Sequence, residues 1–389
     1  MKKVAVVTTT RADYGILKPL LWRLHLDPDI TLGLIVTGTH LLKDYGYTIQ
    51  EIETDQIPIS RTIAIMEGNG NEEEMSNVLA EAVRKFSAYF LEEQPEMVVL
   101  LGDRVELLGI ASAAMLHHVP IAHIHGGEVT MGAMDDAVRH AITKMSYLHF
   151  PSTEVYRRRI IQMGEEPDRV YNVGALSTEN ICNEKLLTRQ EFIESVGLEK
   201  DAPYVVVTYH PVTREAGSEA TVRELLQAMD KYPEYQYIIT KANADAGGYS
   251  INQYMEEYSN QRTNVRLVDS LGMKRYLSAI KYAEFVLGNS SSGVIEAPVL
   301  GTITVNIGNR QAGRWMAPTV IQAEADAESI IKAMKEAGTT EKQEGKQYFG
   351  DGHTSEKIVA VLKDLFENGK IDLEKKFFDL SYDGQEERN

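Results

Sequence analysis

The chain of 389 residues sets 40 Lys and Arg against 57 Asp and Glu, a formal net charge of −17. That balance excludes broad binding to nucleic acid or anionic membrane, which needs a surplus of cations, but leaves room for one small phosphorylated ligand held by a local cluster. At 43% hydrophobic and 25% charged the composition is that of a folded globular protein of two or so domains, and the single Cys182 excludes a disulfide scaffold, a cysteine zinc cluster and a protein-ligated iron–sulfur centre.

From the start of the chain, the apolar part of "MKKVAVVTTT" is too short for a signal peptide and no apolar run reaches membrane-spanning length, so a soluble cytoplasmic protein is expected. Runs 3–9, 30–36, 96–102, 119–125 and 147–152 read as strands, mostly apolar on both faces as parallel strands between helix layers are. Between them 14–26, 72–94, 104–118 and 134–146 read as helices. A polar connector at 171–185 follows, and the alternation then restarts with strands at 204–211, 235–240, 264–269, 284–289 and 302–308 and helices at 218–232, 249–259 and 273–282. A last helix is predicted over 354–368, and the tail 381–389 reads as frayed. This repetition predicts an α/β fold of two doubly wound halves.

In open α/β sheets ligands bind beyond the carboxyl ends of the strands, where the notable polar residues of both halves fall. "TTTRADYG" places Thr8, Thr9, Thr10 and Arg11 in a strand-to-helix loop, offering hydroxyls, a guanidinium and helix N–H groups to an anion; an ordinary loop with an exposed arginine reads equally from the residues. It matches neither a Walker loop nor a dinucleotide GxGxxG. "GDRVE" sets Asp103, Arg104 and Glu106 past an apolar strand, facing a cleft or capping a helix. "NSSSGVIEAP" offers Ser290, Ser291, Ser292 and Gly293 to phosphates and Glu296 to a ribose diol, or caps a helix. "YHPVT" supplies His210, as a ligand contact or a structural histidine. In "HIHGGE", strand periodicity puts His123 and His125 on one face, with Glu128 beyond two glycines. Metal grip, acid/base pair and structural use all remain open there, and downstream Asp135 and Arg139 stand four apart as an ion pair would.

"TTTRADYG", "LIVTGTHL", "GDRVE", "HIHGGE", "RHAITKMSYLHF", "TYHPVT", "NSSSGVIEAP" and "NIGNRQAGR", in this order over roughly residues 1–320, resemble the hydrolysing UDP-N-acetylglucosamine 2-epimerases of sialic-acid-type sugar biosynthesis. The resemblance implies two Rossmann-like domains of the glycosyltransferase-B type with an interdomain active-site cleft. Their boundaries are 1–178 and 179–365, with the last helix crossing back and a C-terminal helical segment 366–389 completing the first domain. It also implies a nucleotide-sugar substrate, usually a homodimer, and no required metal or NAD. The family reaction takes UDP-N-acetylglucosamine and water to N-acetylmannosamine and UDP through a 2-acetamidoglucal.

Carried over by position, Asp103 and Asp135 resemble catalytic carboxylates near C1 to C3, and His125, Glu128 and His210 join that set. Arg11 resembles a diphosphate clamp, with Arg104 beside the substrate. His210 and Ser290 to Gly293 resemble phosphate neighbours and Glu296 the ribose carboxylate, while Asn243, Arg310 and Arg314 line the nucleotide side. Several relatives read "HIEGGE" with a catalytic glutamate where this chain has His125. Imidazole, with an unperturbed pKa near 6.5, serves as acid or base close to neutrality. A changed acid/base group could accompany a changed sugar, so a UDP- or GDP-linked 2,4-diacetamido-2,4,6-trideoxyhexose is the alternative substrate, and a non-catalytic nucleotide-sugar sensor the alternative of a different class.

Overall fold

Strands β1 (Lys2–Thr8), β2 (Ile30–Thr37), β3 (Ile59–Ile63), β4 (Met97–Leu101), β5 (Ile121–Ile124) and β6 (Leu148–Phe150) pair in parallel in the order β3-β2-β1-β4-β5-β6. The computed structural model describes residues 1–66, 72–130, 134–199, 202–211, 218–242, 248–269, 271–342, 348–369 and 371–380. Helices α1 (Arg11–Leu26), α2 (Ile49–Thr54), α3 (Glu72–Glu93), α4 (Val105–Leu116), α5 (Met134–Met145) and α6 (Glu154–Gln162) alternate with the strands. Val4, Val6 and Val99 pack on one face against Leu17, Leu20 and Leu24 of α1. Ala5, Val98 and Leu100 pack on the other against Phe86 of α3 and Ile110 of α4. A strand that must feed two helix layers is apolar at every position, which is why the central strands were legible as continuous runs.

Helix α7 (Leu176–Asn183) contains the division between two compact units, Met1–Asn180 with Gly350–Asn389, and Ile181–Phe349. The second unit holds α8 (Arg189–Val196), β7 (Tyr204–Thr208), α9 (Ser218–Met229), β8 (Gln236–Thr240), α10 (Gly248–Asn260), β9 (Val265–Val268), α11 (Gly272–Tyr282) and β10 (Phe285–Gly288). It continues through α12 (Ser291–Val294), α13 (Glu296–Val299), β11 (Ile303–Ile307), β12 (Val320–Ala323) and α14 (Ala327–Thr339). Its sheet runs β12-β11-β10-β7-β8-β9, all parallel. Counted from the first strand of each unit, both sheets have the doubly wound order 3-2-1-4-5-6, with reversal points between β1 and β4 and between β7 and β10. The glycosyltransferase-B type of two Rossmann-like units is the architecture found.

The chain returns to the first unit earlier than residue 366. Helix α15 (Thr354–Asn368) places Ile358, Val359 and Leu362 in the core around α1. Its start is anchored by Ser355, which donates from both backbone and hydroxyl to Glu179 at 2.6 Å. The whole helix therefore belongs with residues 1–180, and the division falls at Gly350. Of the expected helical segment 366–389, residues up to Asn368 end α15, and the described residues 371–380 form no regular element. They lie along the first unit through Lys375, which donates to the carbonyls of Lys144 and Ser146, and through Phe378, whose N–H donates to the Gly164 carbonyl at 3.0 Å. The tail 381–389 lies outside the described residues.

Candidate active site

Strand β5 ends at Ile124, and His125 takes φ +64°. The two histidines of "HIHGGE" therefore do not share a face. His123 is fully buried, its Nδ1 3.1 Å from the Thr143 hydroxyl and its Nε2 2.8 Å from the Gly102 carbonyl. Burial pushes its pKa down to about 3, and since a carbonyl only accepts, the proton sits on Nε2. With both nitrogens engaged, His123 ties the β4 loop to α5, and the HxH metal grip has no geometry. Among the described residues no three His, Cys, Asp or Glu side chains gather as a metal site.

The turn that follows is clamped on several sides. The His125 N–H donates to the Phe150 carbonyl at 3.1 Å, and Arg159 donates to the Gly127 carbonyl at 2.6 Å. A Cβ on Gly126 would lie 2.9 Å from the Thr143 hydroxyl; Gly127, at φ +78°, would place one 2.5 Å from the Tyr156 carbonyl. Both glycines are thus dictated by close approach. The turn carries the His125 Nδ1 to 3.1 Å from Glu128 Oε1, an oxygen that also accepts from the Ser152 hydroxyl at 3.2 Å.

Arg139, only 4% exposed, gathers the other loops. Its Nη2 pairs with Asp103 and donates to the Thr130 hydroxyl; its Nη1 donates to the Glu128 carbonyl at 2.9 Å and to Asp136 at 3.2 Å. The expected Asp135–Arg139 pair is replaced, because the acceptors on the β4 and β5 loops draw the guanidinium to the Asp136 side of α5. Partial desolvation and then the charge of Asp103 raise the Asp135 carboxyl, so two carboxylates compete in one corner.

The "TTTRAD" loop spends most of its donors internally. Asp13 accepts from the N–H groups of Thr9 and Thr10, each at 3.0 Å, and from the hydroxyls of Thr8 and Thr9, and it closes a capping box with Thr10. Those donors are therefore not on offer to an anion, as the residues alone had suggested. Arg11 remains outward, 73% exposed and 3.0 Å from Glu51. Arg104 turns its Nε to Glu106 at 2.5 Å; Glu106 is fully buried, and its second oxygen has no partner among the described residues.

In the second unit the β7 and β10 loops are locked by Asn289, which is fully buried. Its Oδ1 accepts the His210 N–H at 2.7 Å and its Nδ2 donates to the His210 carbonyl at 2.8 Å. Its own carbonyl accepts from Arg310 at 3.1 Å and Gln311 at 2.9 Å. Gly288, at φ +138°, would set a Cβ 2.0 Å from the Thr208 carbonyl, so only glycine lets the two central strands meet this closely. Ser290 caps α12, Ser292 lies 2.5 Å from the Tyr276 hydroxyl, and the Gly293 carbonyl accepts from Thr304. The serine segment is two four-residue helices rather than one. A cavity of about 380 Å³ opens here, lined by Thr208, His210, Lys241, Tyr276, Ser290 and Ser292 among others. Ser291 stands at the start of α12, half-buried. Burial raises the Glu296 carboxyl, with Arg314 opposing, and one of its oxygens is enclosed without a partner among the described residues. Asn243 lies outside the described residues.

In the first unit Arg139 thus joins Asp103, Asp136 and the Glu128 carbonyl, with His125 beside Glu128; in the second Asn289 joins His210 and Arg310, with Ser290 next in the chain and Ser292 beside Ser290. Sequence reading did not single out Asn289 or Tyr276, nor the gathering role of Arg139. An Asn directly after an apolar strand was the available signal for the first.

Residues 23–363 match the family described as UDP-N-acetylglucosamine 2-epimerase. The chain is 36% identical over 384 residues, 97% of its length and 99% of the relative's, to the GDP/UDP-N,N'-diacetylbacillosamine 2-epimerase (hydrolyzing) of Campylobacter jejuni. It is 36% identical over 366 residues, 94% of its length and 96% of the relative's, to the UDP-N,N'-diacetylbacillosamine 2-epimerase (hydrolyzing) of Legionella pneumophila. The crystal structure of UDP-GlcNAc 2-epimerase from Neisseria meningitidis bound to UDP-GlcNAc superposes with a TM-score of 0.77 at 19% identity, over 93% of this chain and all of that one. Because the family match spans residues 23–363 and two relatives are 36% identical over at least 94% of the chain, the chain belongs to the UDP-N-acetylglucosamine 2-epimerase family, in its hydrolysing branch.

Proposed function

We propose that this chain hydrolyses and 2-epimerises a UDP- or GDP-linked 2,4-diacetamido-2,4,6-trideoxyhexose, releasing the nucleoside diphosphate and the free sugar inverted at C2. The observation that carries the choice of sugar is the full-length 36% identity to two relatives, each described as acting on N,N'-diacetylbacillosamine. UDP-N-acetylglucosamine, which the motifs alone placed first, becomes the second reading. The coarser activity, hydrolysing 2-epimerisation of a nucleotide-linked acetamido sugar, is common to both.

C2–H adjoins no carbonyl, so its proton leaves only in concert with the diphosphate on C1. Stabilising the departing diphosphate is therefore worth as much as the base. In the proposed division of labour, the cavity of the second unit holds the nucleotide, with Glu296 accepting from the ribose and His210 and the serines next to the phosphates. Arg11 and Arg104 supply positive charge, and Asp103, His125 and Asp135 handle the protons at C1 to C3. Inversion at C2 requires removal and return of the proton on opposite faces, so more than one acid/base group is needed there. The proposed working form is a cytoplasmic homodimer; no helix among the described residues is long and apolar enough to cross a membrane.

The test is incubation of the full-length protein, separately, with UDP-N-acetylglucosamine and the UDP- and GDP-linked diacetamido sugars in deuterated water, followed by NMR. The expected result is fastest release of nucleoside diphosphate from a diacetamido substrate, with deuterium at C2 of the free product. Faster turnover of UDP-N-acetylglucosamine would restore the first reading, and nucleotide binding without product would favour a sensor.

A further inference from the structure

We propose that Glu128 is a positioning residue that fixes the proton of His125 on Nδ1, so that Nε2 is the atom that takes up the C2 proton of the sugar. The proposal rests on the 2-epimerase reading for the reaction, and on the geometry of one turn for the residue. Glu128 Oε1 stands 3.1 Å from His125 Nδ1, and because a carboxylate carries negative charge and only accepts, its field favours the tautomer with the proton on Nδ1. The Ser152 hydroxyl holds the same oxygen at 3.2 Å, and Arg139 holds the Glu128 backbone carbonyl at 2.9 Å. Nε2 is enclosed and has no partner among the described residues. His125 sits at φ +64°, a costly backbone that persists because β6, α5 and α6 each clamp the turn; such strain concentrates where a side chain is being aimed.

The step balances without an added reactant. The C2–H bond breaks and an Nε2–H bond forms. The C–H pair becomes the second bond of C1=C2, and the C1–O bond breaks with its pair leaving on the diphosphate. The imidazolium so formed keeps its Nδ1–H toward the Glu128 carboxylate, which stabilises it as an orienting acid stabilises the histidine of a hydrolytic triad. Among the described residues, charged and titratable groups at the turn include Glu128, Arg139 from α5 with its partners Asp103 and Asp136, Arg159 from α6 and the neutral His123 from β5.

Two measurements on the full-length chain decide it. In the first, ¹⁵N spectra of the imidazoles, with His125 assigned by H125A, should show the Nδ1-protonated tautomer in the wild type and a shift toward Nε2-protonated in E128A. In the second, E128Q should lower kcat by about 10²-fold with KM within a few-fold, and E128D should recover part of the loss. In an H125A background E128Q should add nothing further. An Nε2-protonated His125 in the wild type, or losses in H125A and E128Q that multiply, would overturn the proposal. Absence of turnover on any nucleotide sugar would overturn the reading of the reaction instead, and the tautomer would still decide the role of Glu128. Should E128Q fail to fold, E128D and the wild-type spectrum carry the test.

Discussion

The two sheets share one strand order, yet the carboxyl ends of their central strands carry different chemistry. After β4 and β5 stand Asp103, His125 and Glu128, with Asp135 at the start of α5, and the buried guanidinium of Arg139 ties Asp103 to the Glu128 carbonyl. After β7 and β10 stand hydroxyls, backbone amides and the His210–Asn289 clamp, with Glu296 as the enclosed carboxylate. Even the histidines divide: of ten in the chain, His210 alone lies in the second unit. Equal topology thus carries unequal chemistry, and the difference sits in side chains of the loops and of the helices that follow them. In the proposed reading the first unit moves the protons and the second holds the nucleotide by hydrogen bonds.

Breaking the first unit's hub should produce the largest effect. R139M removes the one cation that joins Asp103, Thr130, Asp136 and the Glu128 carbonyl, and it leaves Asp103 without its partner in a half-buried site. Turnover should fall by more than ~10³-fold and stability by about 3 kcal/mol, the cost of breaking a buried pair. Steady-state kinetics and urea unfolding check both, and near-normal activity would show that Asp103 needs no such anchor.

A cleaner cut at the same corner is D103A. It should lower kcat by ~10²-fold while nucleotide affinity, read by calorimetry, stays within a few-fold, since the nucleotide is assigned to the other unit. Reciprocally, E296Q keeps shape but removes the negative charge and one of the two oxygens proposed to accept from the ribose. With one acceptor oxygen exchanged for an N–H donor and the charge removed, nucleotide binding should weaken by about 10-fold with a smaller change in kcat. If D103A proved the binding mutant and E296Q the kcat mutant, the division of labour between the two units would be reversed.

How much of this was legible in the sequence follows from what packing demands of each residue. Strands β1, β4, β7 and β10 are buried on both faces, so unbroken apolar runs announced them. The edge strands β3 and β12 did not show. Their segments, Ile59–Ile63 and Val320–Ala323, mix polar residues with half-buried apolar ones, and a strand with one covered face and one free edge needs no more. Helix α14 escaped too, although Asp326 caps it, because its short apolar stripe sits among charges. For the site, residue types and their place at strand ends were readable, but partners were not. Asp135 and Asp136 are both within reach of Arg139 by helix periodicity, and only the loops opposite decide between them. Likewise period-two reasoning put His123 and His125 on one face; the left-handed backbone at His125, imposed by contacts distant in sequence, turned them apart.

The smallest expected effect is a difference in acid response between the units. Burial lowers His40, His123 and His149, all in the first unit. A histidine whose folded pKa lies below its unfolded value of about 6.5 binds its proton more readily when unfolded. Stability is therefore complete above that pH and falls as pH drops toward the folded value, by up to about 1.4 kcal/mol per pH unit for each such group. Glu165 adds to this lower down: despite burial, which pushes it up, hydrogen bonds from His149, Lys144 and Lys375 hold it at about 2, so its contribution is lost as pH falls below the ordinary carboxylate range. In the second unit Glu296 is raised by burial, and a raised carboxyl favours the folded state as it protonates. Each unit carries one tryptophan, Trp22 against the α1 core and Trp315 against Tyr348 and Phe349. Thermal unfolding followed by fluorescence in W315F and W22F therefore reports the units separately within the full chain. From pH 7 to pH 5.5 the Trp22 transition should fall by about 5 °C more than the Trp315 transition, at roughly 3 °C per kcal/mol. Transitions that move together would mean that the two units unfold as one, whatever the difference in their chemistry.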